Sequence, residues 1–142
     1  MSEVALRPSG LQALDMVRRL EAETLKRPQP AIETTHVLHA GMYFRTVRIP
    51  ANRYIVGALI KVATVLTVCG HVRVFTGEDA IVLEGYNVLP AAAGRKSAFA
   101  AISETYLTMA FPTSATSVDQ AEREFTDEFE ALLSRKEGLC PE

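Results

Sequence analysis

Histidine is the residue type in this chain that is best suited to hold a catalytic metal ion, because a neutral imidazole binds zinc, iron and manganese. The sequence contains three histidines, His36, His39 and His71. His36 and His39 lie three residues apart, a spacing that places them on opposite faces of a strand, where they would not share an ion. His71 directly follows Gly70 and opens a short predicted strand. We therefore expect structural roles for all three histidines and predict no metal site.

Two further groups of polar residues are of types that occur in catalytic or phosphate-binding sites. Ser103, Glu104 and Thr105 put hydroxyls beside a carboxylate, but these residue types are also common in turns, and the sequence places them at a hairpin tip. Arg95 and Lys96 follow a glycine, and a glycine beside basic side chains lets a phosphate approach the backbone. We predict the simpler alternative for Arg95 and Lys96, a solvated turn, ahead of a phosphate site.

Catalysis needs titratable groups that converge in a pocket. Beyond Arg45 and Arg48, few charged residues lie in the predicted strands or at their ends, among them Lys61, Arg73, Glu84, and Lys96 at an edge. The faces that point inward are instead rich in Ala, Val, Leu, Ile and Thr, which fill a small barrel and leave little room for a substrate. The sequence therefore predicts that the protein is not an enzyme and has no catalytic residues and no cofactor.

The elements that position these residues begin with a predicted N-terminal helix over residues 9–26. Ser9 is its candidate N-cap, and Pro28 and Pro30 end it. The apolar positions that recur at helical spacing are Leu11, Leu14, Val17, Leu20 and Leu25.

A second helix is predicted from Val118 to about Lys136, behind a capping-box start at Ser117. One side of this helix is apolar, at Ala121, Phe125, Phe129, Leu132 and Leu133. The other side is acidic, at Asp119, Glu122, Glu124, Asp127, Glu128 and Glu130. We expect the acidic side to face water, or else a basic partner.

Between the helices the apolar residues alternate with polar ones, the period of half-buried strands. The predicted strands are 43–49, 54–60, 64–69, 72–75, 80–83, 96–102 and 105–111, separated by turn residues. Short strands at this spacing, with no helix between them, predict a mainly β fold, a small antiparallel barrel or sandwich. The predicted organisation is an N-terminal helix and linker at 1–35, a β-barrel at 36–112 and a C-terminal helix at 113–142.

The composition limits the partners and the compartment. The 142 residues carry a formal net charge of −2, so the whole molecule does not attract nucleic acid or an anionic membrane. No apolar stretch approaches the roughly 18 residues of a membrane span, and no signal peptide is visible at the start. A disulfide between Cys69 and Cys140 is not expected, because nothing else indicates an oxidising compartment.

Five short motifs in the middle of the chain occur in the same order in a known family. They are Arg48-Ile49-Pro50-Ala51, Gly57-Ala58-Leu59-Ile60-Lys61, Thr64 to Val74, Leu89 to Lys96 and Ala100 to Thr105. They resemble the small cupin-like proteins of tailed bacteriophages, which have Ile-Pro-Ala-Gly before a strand, Gly-x-x-His at a strand end, a glycine-containing hairpin, a Pro-Pro-Gly-Thr-Lys-Arg turn and Glu-Asp-Thr before the last strand. The resemblance covers roughly residues 36–111 and implies a cupin, or jelly-roll, barrel.

The family's metal ligands have no counterparts at the matching positions of this chain. The histidine of the first motif falls at Ile60, and the next acidic and histidine positions fall near Ala63 and Thr64. The histidine of the second motif falls within residues 97–99, where the sequence reads Ser-Ala-Phe. None of these side chains binds a divalent metal well. The resemblance therefore implies a cupin that has lost its metal site.

Together these observations predict a non-enzymatic structural protein of a phage virion, either a capsid decoration or cement protein or a tail or collar component. It would be assembled in the bacterial cytoplasm and would bind its own copies and other virion proteins, with no nucleic acid and no membrane as partners. The residues predicted to make these contacts are Leu14, Val17, Phe125, Phe129 and Leu132. The alternative is a protein outside the virion that binds a small ligand or a host factor in a cupin pocket, and a third hypothesis is a metal-dependent cupin enzyme.

Overall fold

A seven-stranded antiparallel sheet makes up most of the computed structural model, which describes residues 4–28 and 32–132. The strands are β1 (Glu33–His39), β2 (Met42–Ile49), β3 (Tyr54–Val56), β4 (Thr64–Phe75), β5 (Ala80–Ala91), β6 (Ala98–Ala101) and β7 (Thr105–Pro112). Helix α1 (Leu11–Leu25) precedes them, and helix α2 (Val118–Phe125) and a 3-10 turn (Phe129–Ala131) follow. The sheet is curled, so the prediction of a mainly β barrel with a helix at each end is confirmed. No helix in these described ranges is long and apolar enough to cross a membrane.

The long strand β4 organises the sheet. One side of it pairs with β5 along its whole length, from Thr64 opposite Ala91 to Phe75 opposite Ala80. The other side pairs first with β7 and then with β6, and the order across the sheet is β1-β2-β7-β4-β6-β3. Alternate residues of these strands point into the curl, so the core lies inside it.

Gly70 allows β6 and β7 to pair with the same side of β4. Its φ of +145° is one that other residues rarely adopt, and a Cβ there would lie 2.5 Å from Thr105 Oγ1. The β6–β7 turn therefore approaches β4 at this point, and the backbone N–H of His71 donates a hydrogen bond of 3.3 Å to Thr105 Oγ1. The predicted turn at Cys69-Gly70 was wrong, because Gly70 continues the strand at a site of close approach.

Other strand limits also differ from the predicted ones. Strand β5 continues past the predicted end at residue 83 to Ala91, and the strand predicted at 54–60 is shorter, ending at Val56. The barrel begins at Glu33, three residues before the predicted boundary, because β1 pairs with β2 from that residue. Pro90 lies inside β5, although a proline there has no N–H to donate. Its carbonyl instead accepts a hydrogen bond of 3.0 Å from the N–H of Leu6.

Helix α1 lies against the β4–β5 turn through a glycine contact. Ala13 and Val17 are its buried residues. A Cβ on Gly77 would lie only 2.3 Å from the carbonyl oxygen of Ala13, and the φ of Gly77 is +93°. The predicted N-cap, Ser9, was wrong: Gly10 is the N-cap residue. Ser9 Oγ instead accepts a hydrogen bond of 2.9 Å from the backbone N–H of Lys96, which ties the start of the helix to the barrel.

Helix α2 begins as predicted but ends early. Ser117 Oγ accepts a hydrogen bond from the N–H of Gln120, the expected cap. The helix ends at Phe125, because Thr126 is extended and the carbonyl of Phe125 accepts a hydrogen bond of 2.8 Å from the N–H of Lys61. The predicted continuation to Lys136 was wrong up to residue 132, and its last part lies outside the described residues.

An aromatic cluster holds α2 on the barrel. The ring of Phe125 stacks on Tyr43 at 6.2 Å between centroids and meets the edge of Phe111 at 6.1 Å. All three rings are fully buried. Burying a phenylalanine side chain contributes roughly 1.5–3 kcal/mol, so this short helix is stabilised by packing more than by its own hydrogen bonds.

Candidate functional site

A cavity of about 140 Å³ lies inside the curl of the sheet, beneath the segment that follows α2. Strands β2, β3, β4, β6 and β7 form its walls, and the segments before β4 and β6 close one end. The apolar side chains that line it are Ile55, Leu66, Phe99, Leu107, Met109, Phe125 and Leu132. Glu21, Glu128 and Ala131 are lining residues that are partly or fully exposed, so they mark the side that faces solvent. The expectation that apolar side chains leave little room inside the barrel was wrong.

Lys96 is fully buried beside the mouth of this cavity. Its Nζ lies 3.0 Å from a carboxylate oxygen of Glu21 and 2.8 Å from one of Glu128. Glu21 belongs to α1, and Glu128 follows α2, so one ammonium group joins both terminal segments to the barrel. The predicted solvated turn at Lys96 was wrong, because two carboxylates supply the partners that a buried charge needs.

Glu128 has further partners that keep it ionised. Arg18 donates a hydrogen bond of 3.2 Å to Oε2, and the N–H of Leu59 donates one of 3.2 Å to Oε1. Burial alone would raise the pKa of the Glu128 carboxyl, but the hydrogen bonds from Lys96 and Leu59 and the charges of Lys96 and Arg18 outweigh it and lower the pKa. A carboxyl held in this way is a structural anion and a poor general acid at neutral pH.

A second buried ion pair lies deeper, where β2 meets α2. Arg45 Nη1 donates to Glu122 Oε2 at 3.0 Å, and both side chains are nearly excluded from solvent. The guanidinium also lies over the ring of Phe125, 5.6 Å from its centroid. The prediction that the acidic side of α2 faces water was therefore wrong for Glu122, which is buried against the barrel. Arg45 also lines the cavity.

Arg95 is the second guanidinium that lines the cavity, and it is 5% exposed. It donates hydrogen bonds to the carbonyl oxygens of Ala91 and Ala92, at 3.2 and 2.8 Å, and to Thr64 Oγ1 at 2.8 Å. Burial lowers the pKa of Arg95 to about 10. The solvated turn predicted at Arg95 was wrong, because the chain after Gly94 folds back under β5 and takes the side chain inward.

The three histidines do not come together. His36 and His39 both lie on β1, and the hydroxyl of Tyr43 is 2.7 Å from His36 Nδ1. His71 lies in the middle of β4, where its Nδ1 is 3.5 Å from Glu84. Burial, followed by the positive charge of Arg45, lowers the pKa of His36. Among the described residues, no group of three or more His, Cys, Asp or Glu side chains could hold a metal ion.

The positions that align with the cupin metal ligands lie at this cavity. Ile60, Ser97 and Phe99 line it. Thr64 borders it only through its hydrogen bond to Arg95. These positions therefore lie at or beside the cavity, which the chain lines with apolar, hydroxyl and guanidinium groups.

Three of the five residues predicted to bind partner proteins are buried within this chain. Val17, Phe125 and Leu132 are buried, and Leu14 and Phe129 are half-buried. Phe125 and Leu132 belong to the barrel core, and Phe129 packs against it. Val17, Phe125 and Leu132 are therefore not accessible to a partner in this structure, because terminal helices on a small barrel cover its core first. The assignment of Leu14 and Phe129 to a partner surface stays a prediction. Leu133 lies outside the described residues.

Comparison with known proteins gives matches among solved structures. No protein-family model and no curated protein matches the sequence. A cupin superfamily protein from Desulfitobacterium hafniense is similar over 80% of this chain and all of its own, with 10% identity and a TM-score of 0.50. Salicylate 1,2-dioxygenase from Pseudoaminobacter salicylatoxidans, solved as adducts with gentisate, has 14% identity and a TM-score of 0.52 over 78% of this chain and 32% of its own. A cupin-2 domain protein from Shewanella frigidimarina has 12% identity and a TM-score of 0.47 over 66% of this chain and 91% of its own.

The chain has a cupin fold. At these identities the likeness shows the fold alone, and it agrees with the cupin barrel that the sequence motifs imply. The phage origin implied by the same motifs stays a prediction, as does the loss of metal ligands from an ancestral site.

Arg45 and Glu122 are interior residues that the sequence pattern did not lead us to predict. The signal for Arg45 was present, because Tyr43, Arg45, Val47 and Ile49 share one face of β2 and the other three are apolar. Glu122 carried no such signal, since it lies among other acidic residues of α2. Its burial follows from the position of the helix on the barrel.

Proposed function

We propose that this protein binds a small organic ligand inside its barrel and does not convert it chemically. The cavity of about 140 Å³ with mostly apolar walls supports the proposal. A cavity of similar size, about 150 Å³ and lined by Leu, Ile and Phe, is large enough to bind benzene. The site therefore suits a ligand with an apolar body about the size of one six-membered ring.

The groups around the cavity are arranged for binding. Lys96 and Arg18 engage Glu128, and Arg45 engages Glu122, so these charges are held by the protein itself. Such pairs keep the walls in fixed positions before a ligand arrives, which lowers the entropy cost of binding. A binding role is consistent with this arrangement, in which the carboxylate of Glu128 stays ionised and hydrogen-bonded.

Ligand-observed NMR with a library of small neutral and ionic molecules tests the proposal. We expect one or more compounds to bind the parent protein and to lose binding in Leu107→Phe, whose larger ring would fill the cavity. Val65→Phe is the matched control, because it adds a ring at an exposed position on the outer face of β4. If no compound binds, or if binding to Leu107→Phe is undiminished, the proposal is wrong.

A second candidate function is assembly with further copies of the same chain, the role predicted from sequence for a virion component. The observation that favours it is an exposed apolar face on the outside of the sheet. Its members are Val37, Phe44, Val65, Tyr86, Val88 and Tyr106. Threonines at 35, 46, 67 and 108 lie opposite one another in register across this face, so its centre carries hydroxyl and methyl groups. Exposed patches of this kind commonly mark protein contacts.

Light scattering over a range of concentrations tests the second candidate. We expect at least a dimer, and we expect Tyr86→Lys with Val88→Lys to give a monomer that melts like the parent. A parent protein that is monomeric at high concentration would contradict it. Residence in a phage particle rests on the sequence resemblance, and mass spectrometry of purified particles would reject that part if the protein were absent.

A further inference from the structure

Arg95 differs from the other cations around the cavity in having no carboxylate partner among the residues that the structure describes. Arg18, Arg45 and Lys96 each lie within ion-pair distance of a glutamate. The three hydrogen bonds that Arg95 donates go to two backbone carbonyls and one hydroxyl, all of them neutral. In the described part of the chain, no Asp or Glu forms an ion pair with it.

A buried charge without a counter-ion is costly, and proteins rarely keep one. The desolvation of Arg95 is reflected in its pKa, which burial lowers to about 10. The guanidinium nevertheless stays charged at neutral pH, so the cavity has one positive charge that no carboxylate of residues 4–28 or 32–132 balances. Two of its five N–H groups make no hydrogen bond to the described residues, since Nη1 donates twice and Nη2 once.

We propose that the ligand of this cavity is a small monocarboxylate whose carboxylate group pairs with the Arg95 guanidinium. This inference rests on the proposed function, because it names the class of molecule that the same cavity takes. A carboxylate supplies the missing negative charge and accepts from the free N–H groups of Arg95.

The other lining residues and the volume of the cavity limit the polarity, size and charge of the rest of the ligand. The walls at Leu66, Leu107 and Met109 are apolar and offer no partners for hydroxyl or amino groups. The volume of about 140 Å³, similar to that of a cavity that holds benzene, limits the ligand to about the size of one ring. A single unbalanced charge selects a monoanion over a dianion, because a second negative charge in the same cavity would lie unpaired.

Benzoate and benzamide are suitable probes, because they have nearly the same shape and only benzoate is charged at neutral pH. Isothermal titration of the full chain with each compound measures the contribution of the charge. We expect benzoate to bind roughly tenfold or more tightly than benzamide, the effect of a hydrogen bond to a charged group.

Arg95→Met tests whether this preference comes from Arg95. The variant should lose the preference and bind benzoate and benzamide about equally. Arg73→Met is the matched control, because Arg73 is an exposed arginine of β4, and it should keep the parent's preference. Benzamide binding by Arg95→Met shows that the variant is folded. If it does not fold, the ratio for the parent protein and a reduced ratio in Arg95→Lys serve instead.

The outcomes separate this inference from the function on which it rests. Equal binding of the two probes to the parent overturns the inference and leaves a cavity that does not select for charge. An unchanged preference for benzoate in Arg95→Met also overturns it, because the preference would then come from another group. Binding of neither probe, while other library compounds bind in the cavity, also overturns it. Failure of every compound to bind overturns the proposed function itself.

Discussion

At the scale of single residues, the main feature of this protein is the number of charged side chains inside a small barrel. Lys96 is the most enclosed of them, and two carboxylates from opposite ends of the chain surround it. A buried ion pair need not make a fold more stable than apolar residues in the same place would. Removal of one partner is nevertheless destabilising, because it leaves the other charge buried without a counter-ion.

Lys96→Met should therefore destabilise the protein by roughly 2–3 kcal/mol, below the usual range of 3–5 kcal/mol for a buried pair, because Glu21 and Glu128 are partly solvated. Urea denaturation measures the change in the free energy of unfolding. Lys26→Met is the control, because Lys26 pairs with Glu23 at the surface and should cost less than about 1 kcal/mol. Equal effects of the two substitutions would contradict the role given to Lys96.

His36 should make the stability of the protein depend on pH. Burial, and after it the charge of Arg45, lowers the pKa of His36 in the folded state. In the unfolded chain the pKa of this histidine is about 6.5, so between the two pKa values the unfolded chain binds more protons than the folded protein does. Stability should fall as the pH drops from about 6.5 toward the lowered folded-state pKa.

Melting temperatures between pH 7 and pH 5 measure this effect. We expect His36→Gln to lose less stability than the parent over this range. His39→Gln, at an exposed position on the same strand, should follow the parent. The explanation fails if His36→Gln shows the parent's dependence on pH.

At the scale of elements, the sequence predicted the helices and strands whose positions depend on the local spacing of apolar residues. The periodicity of α1 and the alternation in β2 and β7 located these elements within a few residues. Contacts between distant segments decided the rest. Gly70 looked like a turn residue, yet it allows the β6–β7 turn to approach β4. The apolar spacing of α2 continues in the sequence past Phe125, but the helix ends there. The carbonyl of Phe125 accepts a hydrogen bond from the N–H of Lys61 at this point.

Gly77 tests how closely α1 must approach the sheet. The φ angles of Gly77 and Gly85 are both positive, but the two positions differ in the space for a Cβ. At Gly77 a Cβ would clash with Ala13, whereas at Gly85 it would have no heavy atom within 4 Å. Gly85→Ala should cost about 1–2 kcal/mol for the backbone alone. Gly77→Ala should cost clearly more, because α1 must shift away from the turn. Chemical denaturation of both variants compares them, and equal losses would show that α1 does not depend on this contact.

At the scale of the whole molecule, the cavity forms only when the barrel and both ends of the chain are in place. Strands supply its apolar walls, Glu21 comes from α1, and Phe125 and Leu132 come from the C-terminal region. Sequence motifs could point to the cupin barrel. They could not show that Arg95 and Lys96 turn inward, because that depends on how the chain after Gly94 packs against α1 and the segment after α2.

The most direct test of the account is the location of a bound ligand. Intermolecular NOEs from a compound that binds the full chain identify the methyl groups around it. We predict NOEs to Leu66, Leu107 and Met109 inside the barrel. NOEs confined to Val65 and Val88, on the exposed outer face, would place the ligand outside the barrel and contradict the account.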